Sequence, residues 1–183
     1  MISTSNRAVV DELALRHLDA AYNLGRWLLG NEQDASDAVH DAYLRAARAC
    51  DTYAGGNARA WFLAIVRNCC LARLAVRHKE KKNVAIDGNP AAAERAMPQG
   101  DDDVGDSLDS EQRRSLVAQY LRGLPDVYRE VLVLREIEEL SYREIADVLE
   151  TPIGTVMSRL ARGRTLLHKA LTDNGPTEPP HGL

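Results

Sequence analysis

At 183 residues with 45% apolar content, the chain suffices for one domain or two small ones and has ample material for a packed core. Its net charge of −4 would argue against nucleic acid if the charge were evenly spread, but acids and bases are segregated, so local patches decide. Three cysteines without a CxxC pair exclude a disulfide scaffold, and the lack of a basic leader or a membrane-length apolar run predicts a soluble, cytoplasmic protein with reduced thiols.

Alanine, leucine and arginine dominate and aromatics are sparse, which predicts an all-α fold. Apolar residues recur at helical spacing from about Val9 to Leu29, and Gly30-Asn31 supplies a C-cap signal. The next helix, Asp34 to Ala49, places Ala35, Ala38, Val39, Ala42 and Ala46 on one face, with Asp34, Asp37, Asp41, Arg45 and Arg48 as a neighbouring polar stripe. Carboxylates at that spacing near His40 raise a helical metal site. His40 lies off the line through Asp37 and Asp41, however, there is no Glu-x-x-His pair, and bundle metal sites draw on several helices, so a solvated or protein-binding face is the better reading. No metal, cofactor or enzymatic activity is expected.

A loop, Asp51 to Asn57, with paired glycines leads into a third helix, from Ala58 to about Val76. Its expected buried face is Trp61, Ile65, Cys69 and Ala72, with Leu63, Val66 and Cys70 alongside and the cysteines as small core hydrophobes. Arg59, Arg67, Arg73, Arg77, His78, Lys79, Lys81 and Lys82 against the lone acid Glu80 make this helix and its exit basic, a candidate nucleic-acid contact once a second basic element is found.

From Asn83 to Ser110 the sequence turns to Gly, Pro, Ala and aspartates without periodicity, which reads as a flexible acidic linker between a domain at 9–82 and one at 111–172. Its aspartates, Asp101 to Asp103 among them, either confer solubility or transiently cover the basic faces they connect. The second domain opens with a helix from Glu111 that Gly123 breaks and a further helix after Leu124-Pro125, whose Val131 to Leu134 run reads as fully buried. The tail, 173–183, is rich in Pro and Gly and reads as disordered.

Between these lies the most specific stretch, Leu140 to Leu167, a helix-turn-helix. Ser141 and Glu144 form a capping box, and Leu140 can staple onto Ile145. Thr151 is the expected N-cap of the second helix, with Pro152 at its first position. Ile153, Val156, Leu160, Gly163 and Leu167 form its expected buried stripe, while Thr155, Ser158, Arg162 and Thr165 face outward with Arg159 on the flank. No acid occurs from Thr151 to Thr172, the polarity that a phosphate backbone selects. Small polar groups near the helix start suit base edges, and the arginines behind them suit phosphates.

Two helical modules, each with a basic helix, joined by a loose linker: this chain resembles the extracytoplasmic-function sigma factors of the sigma-70 family. DASDAVHDAYLRA (Asp34 to Ala46) is similar to the family's polymerase-clamp region, RAWFLAIVRN (Arg59 to Asn68) to its promoter-melting region, and the stretch from Leu124 to Arg164 to its minus-35-binding region. The resemblance implies a region 2 bundle and a region 4 helix-turn-helix, with core RNA polymerase (its beta-prime clamp helices), promoter DNA and an anti-sigma factor as partners. Residue by residue it implies core contacts at Asp37, Val39, His40 and Asp41. It also implies minus-10 contacts at Tyr53, Asn57, Arg59, Trp61, Arg67 and Asn68, and minus-35 contacts at Thr155, Ser158, Arg159 and Arg162. The family often has a basic residue at Met157 and a larger one at Ala161, and commonly Gln at His40, so the base-facing surface here is altered. A stand-alone helix-turn-helix regulator explains Leu140 to Leu167 equally well, but not an acidic stripe beside a basic helix in the first module.

Overall fold

The structure, a computed structural model, describes residues 4–49, 56–86 and 110–173. Within them lie eight α-helices and no strand: α1 (Thr4–Arg16), α2 (Leu18–Leu29), α3 (Glu32–Ala49), α4 (Ala58–Ile86), α5 (Ser110–Gly123), α6 (Asp126–Leu132), α7 (Tyr142–Leu149) and α8 (Ile153–Asp173). The first four pack as one bundle, with α2, α3 and α4 in mutual contact, and the last four as a second around α6 and α8.

The stretch expected as one helix from Val9 is two, α1 and α2. His17 leaves helical geometry (φ −113°, ψ 16°), yet hydrogen bonds run across it, from His17 N–H to the Leu13 carbonyl at 3.2 Å and from Ala21 N–H to the His17 carbonyl at 3.0 Å. The result is a bend that lets Val10, Leu13 and Ala14 join Ala21, Leu24 and Leu28 in one core. Gly30 ends α2 in the left-handed conformation (φ 80°), as its position after the last periodic residue predicts. Along α3 the five expected residues, Ala35, Ala38, Val39, Ala42 and Ala46, are all buried.

Helix α4 differs from expectation twice. It runs ten residues past Val76, because Arg, Lys and Glu favour helix and no Gly or Pro intervenes. Its buried stripe is Phe62, Leu63, Val66, Cys69 and Cys70, one position round from the expected face; Trp61 and Ile65 are half-buried and Ala72 is exposed. Periodicity fixes the width of an apolar face, but the neighbouring α2 and α3 select its centre. Burial pushes the Cys70 thiol up to about 12, and raises Cys69 as well, consistent with unreactive core residues.

In the second bundle Val131, Leu132, Val133 and Leu134 are all buried, and the helix widens into a π turn at Val133–Ile137. The capping box is present as predicted: Ser141 N–H donates to Glu144 Oε2 at 2.7 Å and Glu144 N–H to Ser141 Oγ at 3.3 Å, with Leu140 and Ile145 buried beside it. The start of α8 shifts by one residue. The Pro152 carbonyl accepts the first helical bonds, from Thr155 N–H (2.9 Å) and Val156 N–H (3.2 Å), so Pro152 caps α8 while Thr151 N–H closes the preceding turn onto Ala146. On α8, Val156, Leu160 and Gly163 are buried and Leu167 is half-buried, but Ile153, at the first position of the helix, is 43% exposed. At Gly163 a Cβ would come within 3.2 Å of Leu132 Cδ1, so α6 and α8 approach closely there and any larger residue would push the Leu132 side chain aside.

No described helix is long and apolar enough to cross a membrane. Cys50, Tyr53, most of the linker (87–109) and the tail beyond Asp173 lie outside the described residues.

Candidate functional site

The outward face of α8 is the simplest. Ser158 and Arg162 are exposed, Thr155 and Arg159 half-exposed, and Arg162 forms no ion pair among the described residues. Ser158 Oγ donates to the Thr155 carbonyl at 2.9 Å and so remains available as an acceptor. Arg164 is held instead by Glu136, with Nη2 to Oε1 at 2.7 Å. Met157, 52% exposed, and Ala161 share the surface. The four expected minus-35 residues thus lie on one accessible, cationic strip.

The stripe on α3 is already paired. Arg73 of α4 bridges Asp41 at 2.7 Å and Asp37 at 3.6 Å, and Arg77 pairs with Asp34. Three and four residues apart on α3 and four apart on α4, these groups form a ladder between α3 and α4 that leaves the carboxylates partly exposed. His40, three residues on from Asp37, is exposed, and Val39 is buried; both border an apolar hollow of about 510 Å³ between α1, α2, α3 and α4 with Leu15, Leu18 and Phe62. Asp37, His40 and Asp41 fall within about 100° of the helix circumference, whereas Val39 is turned from them toward the core. No cluster of His, Cys, Asp and Glu suited to a metal occurs among the described residues.

The third set, on α4, faces the second bundle. Asn57 caps α4 by accepting from Ala60 N–H at 3.0 Å, while its own amide donates to Glu144 Oε1 at 2.5 Å. Arg59 Nη2 donates to Glu138 Oε2 at 2.9 Å, and Glu138 Oε1 also accepts from Asn23 of α2 at 3.2 Å. Arg67 holds Glu130 through both Nε and Nη2, the latter at 3.3 Å. Trp61 is half-buried, and Asn68 is exposed. Hydrogen bonds from Ser141, aided by Asn57 and Arg59, lower the Glu144 carboxyl below its ordinary value. Burial first, then Arg59 and Arg16, lower His17 nearby.

The expected minus-10 residues that are described are thus together on α4, but Asn57, Arg59 and Arg67 are engaged by carboxylates of the other module. Glu130 and Glu138, 4% and 5% exposed, had no part in the sequence reading. One signal was present: a carboxylate abutting the apolar run Val131 to Leu134 needs a cation if it is buried with that run.

Two family descriptions match the chain, Sigma-70 region 2 over residues 13–80 and Sigma-70, region 4 over residues 114–167. The chain is 33% identical over 167 residues to the ECF RNA polymerase sigma factor SigW of Bacillus subtilis, spanning 85% of this chain and 84% of that protein. It is 30% identical to the RNA polymerase sigma-H factor of Pseudomonas aeruginosa, spanning 93% and 90%. Among solved structures it is similar to the sigma factor RpoE of Bartonella quintana, crystallised in complex with the anti-sigma factor NepR, at TM-score 0.68 and 25% identity over 90% of this chain and 97% of that one.

Proposed function

This chain belongs to the extracytoplasmic-function sigma factors of the sigma-70 family, and we propose that its two modules divide promoter recognition between α4 and α8. As a sigma factor it directs RNA polymerase to specific promoters. In our reading α8 lies in the major groove of the minus-35 element, with Thr155 and Ser158 at base edges and Arg159 and Arg162 at bases or phosphates. Helix α4 and its preceding loop hold the melted minus-10 strand. Unstacked bases need a polar pocket, here Asn57, Asn68 and Tyr53, and an aromatic platform, here Trp61, with Arg59 and Arg67 along the backbone. The α3 surface, with Asp37, Val39, His40 and Asp41, meets the clamp helices of the core enzyme. An anti-sigma factor, the kind of partner that RpoE has in its crystal structure, holds the protein inactive in the cytoplasm.

The observation that carries this reading is the exposed, acid-free strip of α8 in a chain whose other module bears the region 2 pattern. Run-off transcription tests it: core enzyme with and without the protein, on a pool of genomic promoter fragments. Discrete transcripts that need the protein are expected. Duplex binding without any new transcript would instead favour a stand-alone regulator. Asp41→Arg should weaken core binding while leaving duplex affinity unchanged, and unaltered core affinity would refute the α3 assignment.

A further inference from the structure

Asn57, Arg59 and Arg67 are separated from Glu130, Glu138 and Glu144 by 63 to 87 residues of chain, yet all three polar contacts between them form along one seam, where α4 meets α7 and the segment before it. We propose that this seam is an autoinhibitory latch: the carboxylates of the second module occupy the sites on α4 that the promoter strand would take, so that the free protein cannot bind single-stranded DNA until the modules part. The inference rests on the reading of α4 as the minus-10 surface.

First, the chemistry is a mimic. A carboxylate on Arg67 Nε and Nη2 offers a guanidinium the same forked acceptor as a phosphate, and the Asn57 amide spends on Glu144 a donor that a base edge would otherwise receive. Exchange of carboxylate for phosphate keeps every arginine paired, so the latch can open without leaving a cation unpartnered. Glu130 and Glu138 regain water as it opens, which offsets the lost pairs.

Second, the closed arrangement is too short for both promoter elements. Elements named minus-10 and minus-35 are separated by about 25 base pairs, or about 85 Å of duplex at 3.4 Å per step. The seam brings α4 within hydrogen-bond distance of the cap of α7, and α8, which follows after one turn, is 21 residues, about 32 Å, long. Simultaneous engagement therefore requires separation, and separation breaks these three contacts.

Third, the block is selective. The seam leaves Ser158 and Arg162 of α8 exposed while it engages Asn57, Arg59 and Arg67 of the single-strand surface. Outside the charged contacts the two modules are also tied by Arg122 stacked over Trp27 at 5.4 Å, a cation–π contact that lies off the DNA surface. The sequence suggested the acidic linker as a cover; the latch assigns that role to folded residues instead.

The test compares the unmutated full-length protein with Glu130→Gln/Glu138→Gln and with Glu12→Gln/Glu32→Gln, which removes the same charge from exposed ion pairs. Small-angle scattering reports closure, and anisotropy of a fluorescent 12-nucleotide mixed-sequence single strand, about the span of one single-strand site, reports binding. The latch variant is expected to expand and to bind the strand at least tenfold tighter than the unmutated protein, with the control within twofold of it. A latch variant that stays compact, or one that expands without gaining affinity, overturns the proposal. Should the double variant fail to fold, Glu138→Gln alone, whose partner Arg59 is 31% exposed, carries the same readouts at about a threefold gain, and no gain overturns the latch. Transcription by reconstituted holoenzyme separates the two ideas. Arg59→Ala/Arg67→Ala holoenzyme that opens promoters normally refutes the minus-10 reading, whereas impaired opening together with a failed latch variant refutes the latch alone.

Discussion

Helices α4 and α8 are both rich in arginine, but their arginines are in opposite situations. On α4, Arg59 and Arg67 are held by Glu138 and Glu130, and Arg73 and Arg77 by the aspartates of α3. On α8, Arg162 faces solvent and only Arg164 is tied down, by Glu136. Charge on a helix is therefore no measure of its availability to a phosphate. Availability depends on which acids the tertiary fold brings within reach, and the two helices of this protein give opposite answers.

Four substitutions sharpen or break that contrast. Arg67→Ala removes one partner of the buried pair at the seam, and because Glu130 regains water once the modules part, the expected cost is about 1–3 kcal/mol of unfolding free energy in urea denaturation. A loss below about 1 kcal/mol would mean that the α4 cations are as free as those of α8. Arg162→Ala should do the reverse. Stability should stay within about 0.5 kcal/mol, while minus-35 duplex binding weakens by about 1–3 kcal/mol if the guanidinium contacts a base and less if it touches only phosphate. Unchanged duplex affinity would remove α8 from the DNA surface.

Ser141→Ala dismantles the capping box where the seam meets α7 and should cost about 1 kcal/mol at neutral pH. Because the folded structure lowers the Glu144 carboxyl, its contribution is complete above the ordinary glutamate value of about 4.3 and is lost as pH falls through the lower folded value. The gap between Ser141→Ala and the unmutated protein should accordingly narrow in acid; a gap independent of pH would show that the carboxylate is not coupled to the cap. The smallest effect is expected at Glu150, which takes the left-handed conformation (φ 50°) in the turn of the helix-turn-helix. Glu150→Gly relieves that strain and should raise stability by about 0.5–1 kcal/mol, leaving single-strand binding untouched. A destabilised variant would indicate that the Glu150 side chain holds the turn.

Much of the fold was legible in the chain because it is locally encoded. The five-residue apolar stripe of α3, the left-handed stop at Gly30, the capping box at Ser141 and Glu144 and the buried run Val131 to Leu134 all follow from spacing and cap chemistry within a few residues. The expected outward residues of α8 could be read for the same reason, since one helix face is fixed by its own periodicity. Where neighbours decide, local signals fell short. The rotation of the α4 stripe from Trp61 toward Phe62 and Leu63, and the exposure of Ile153 on an otherwise buried stripe, depend on what packs alongside.

What the sequence by itself determined is an all-helical protein with a helix-turn-helix and two basic helices, because capping, turn chemistry and 3.6-residue periodicity are short-range properties. Only the tertiary structure decided which cations are left to meet DNA. Ion pairing depends on distances across 63 and 79 residues of chain, from Arg67 to Glu130 and from Arg59 to Glu138, and no local pattern records them.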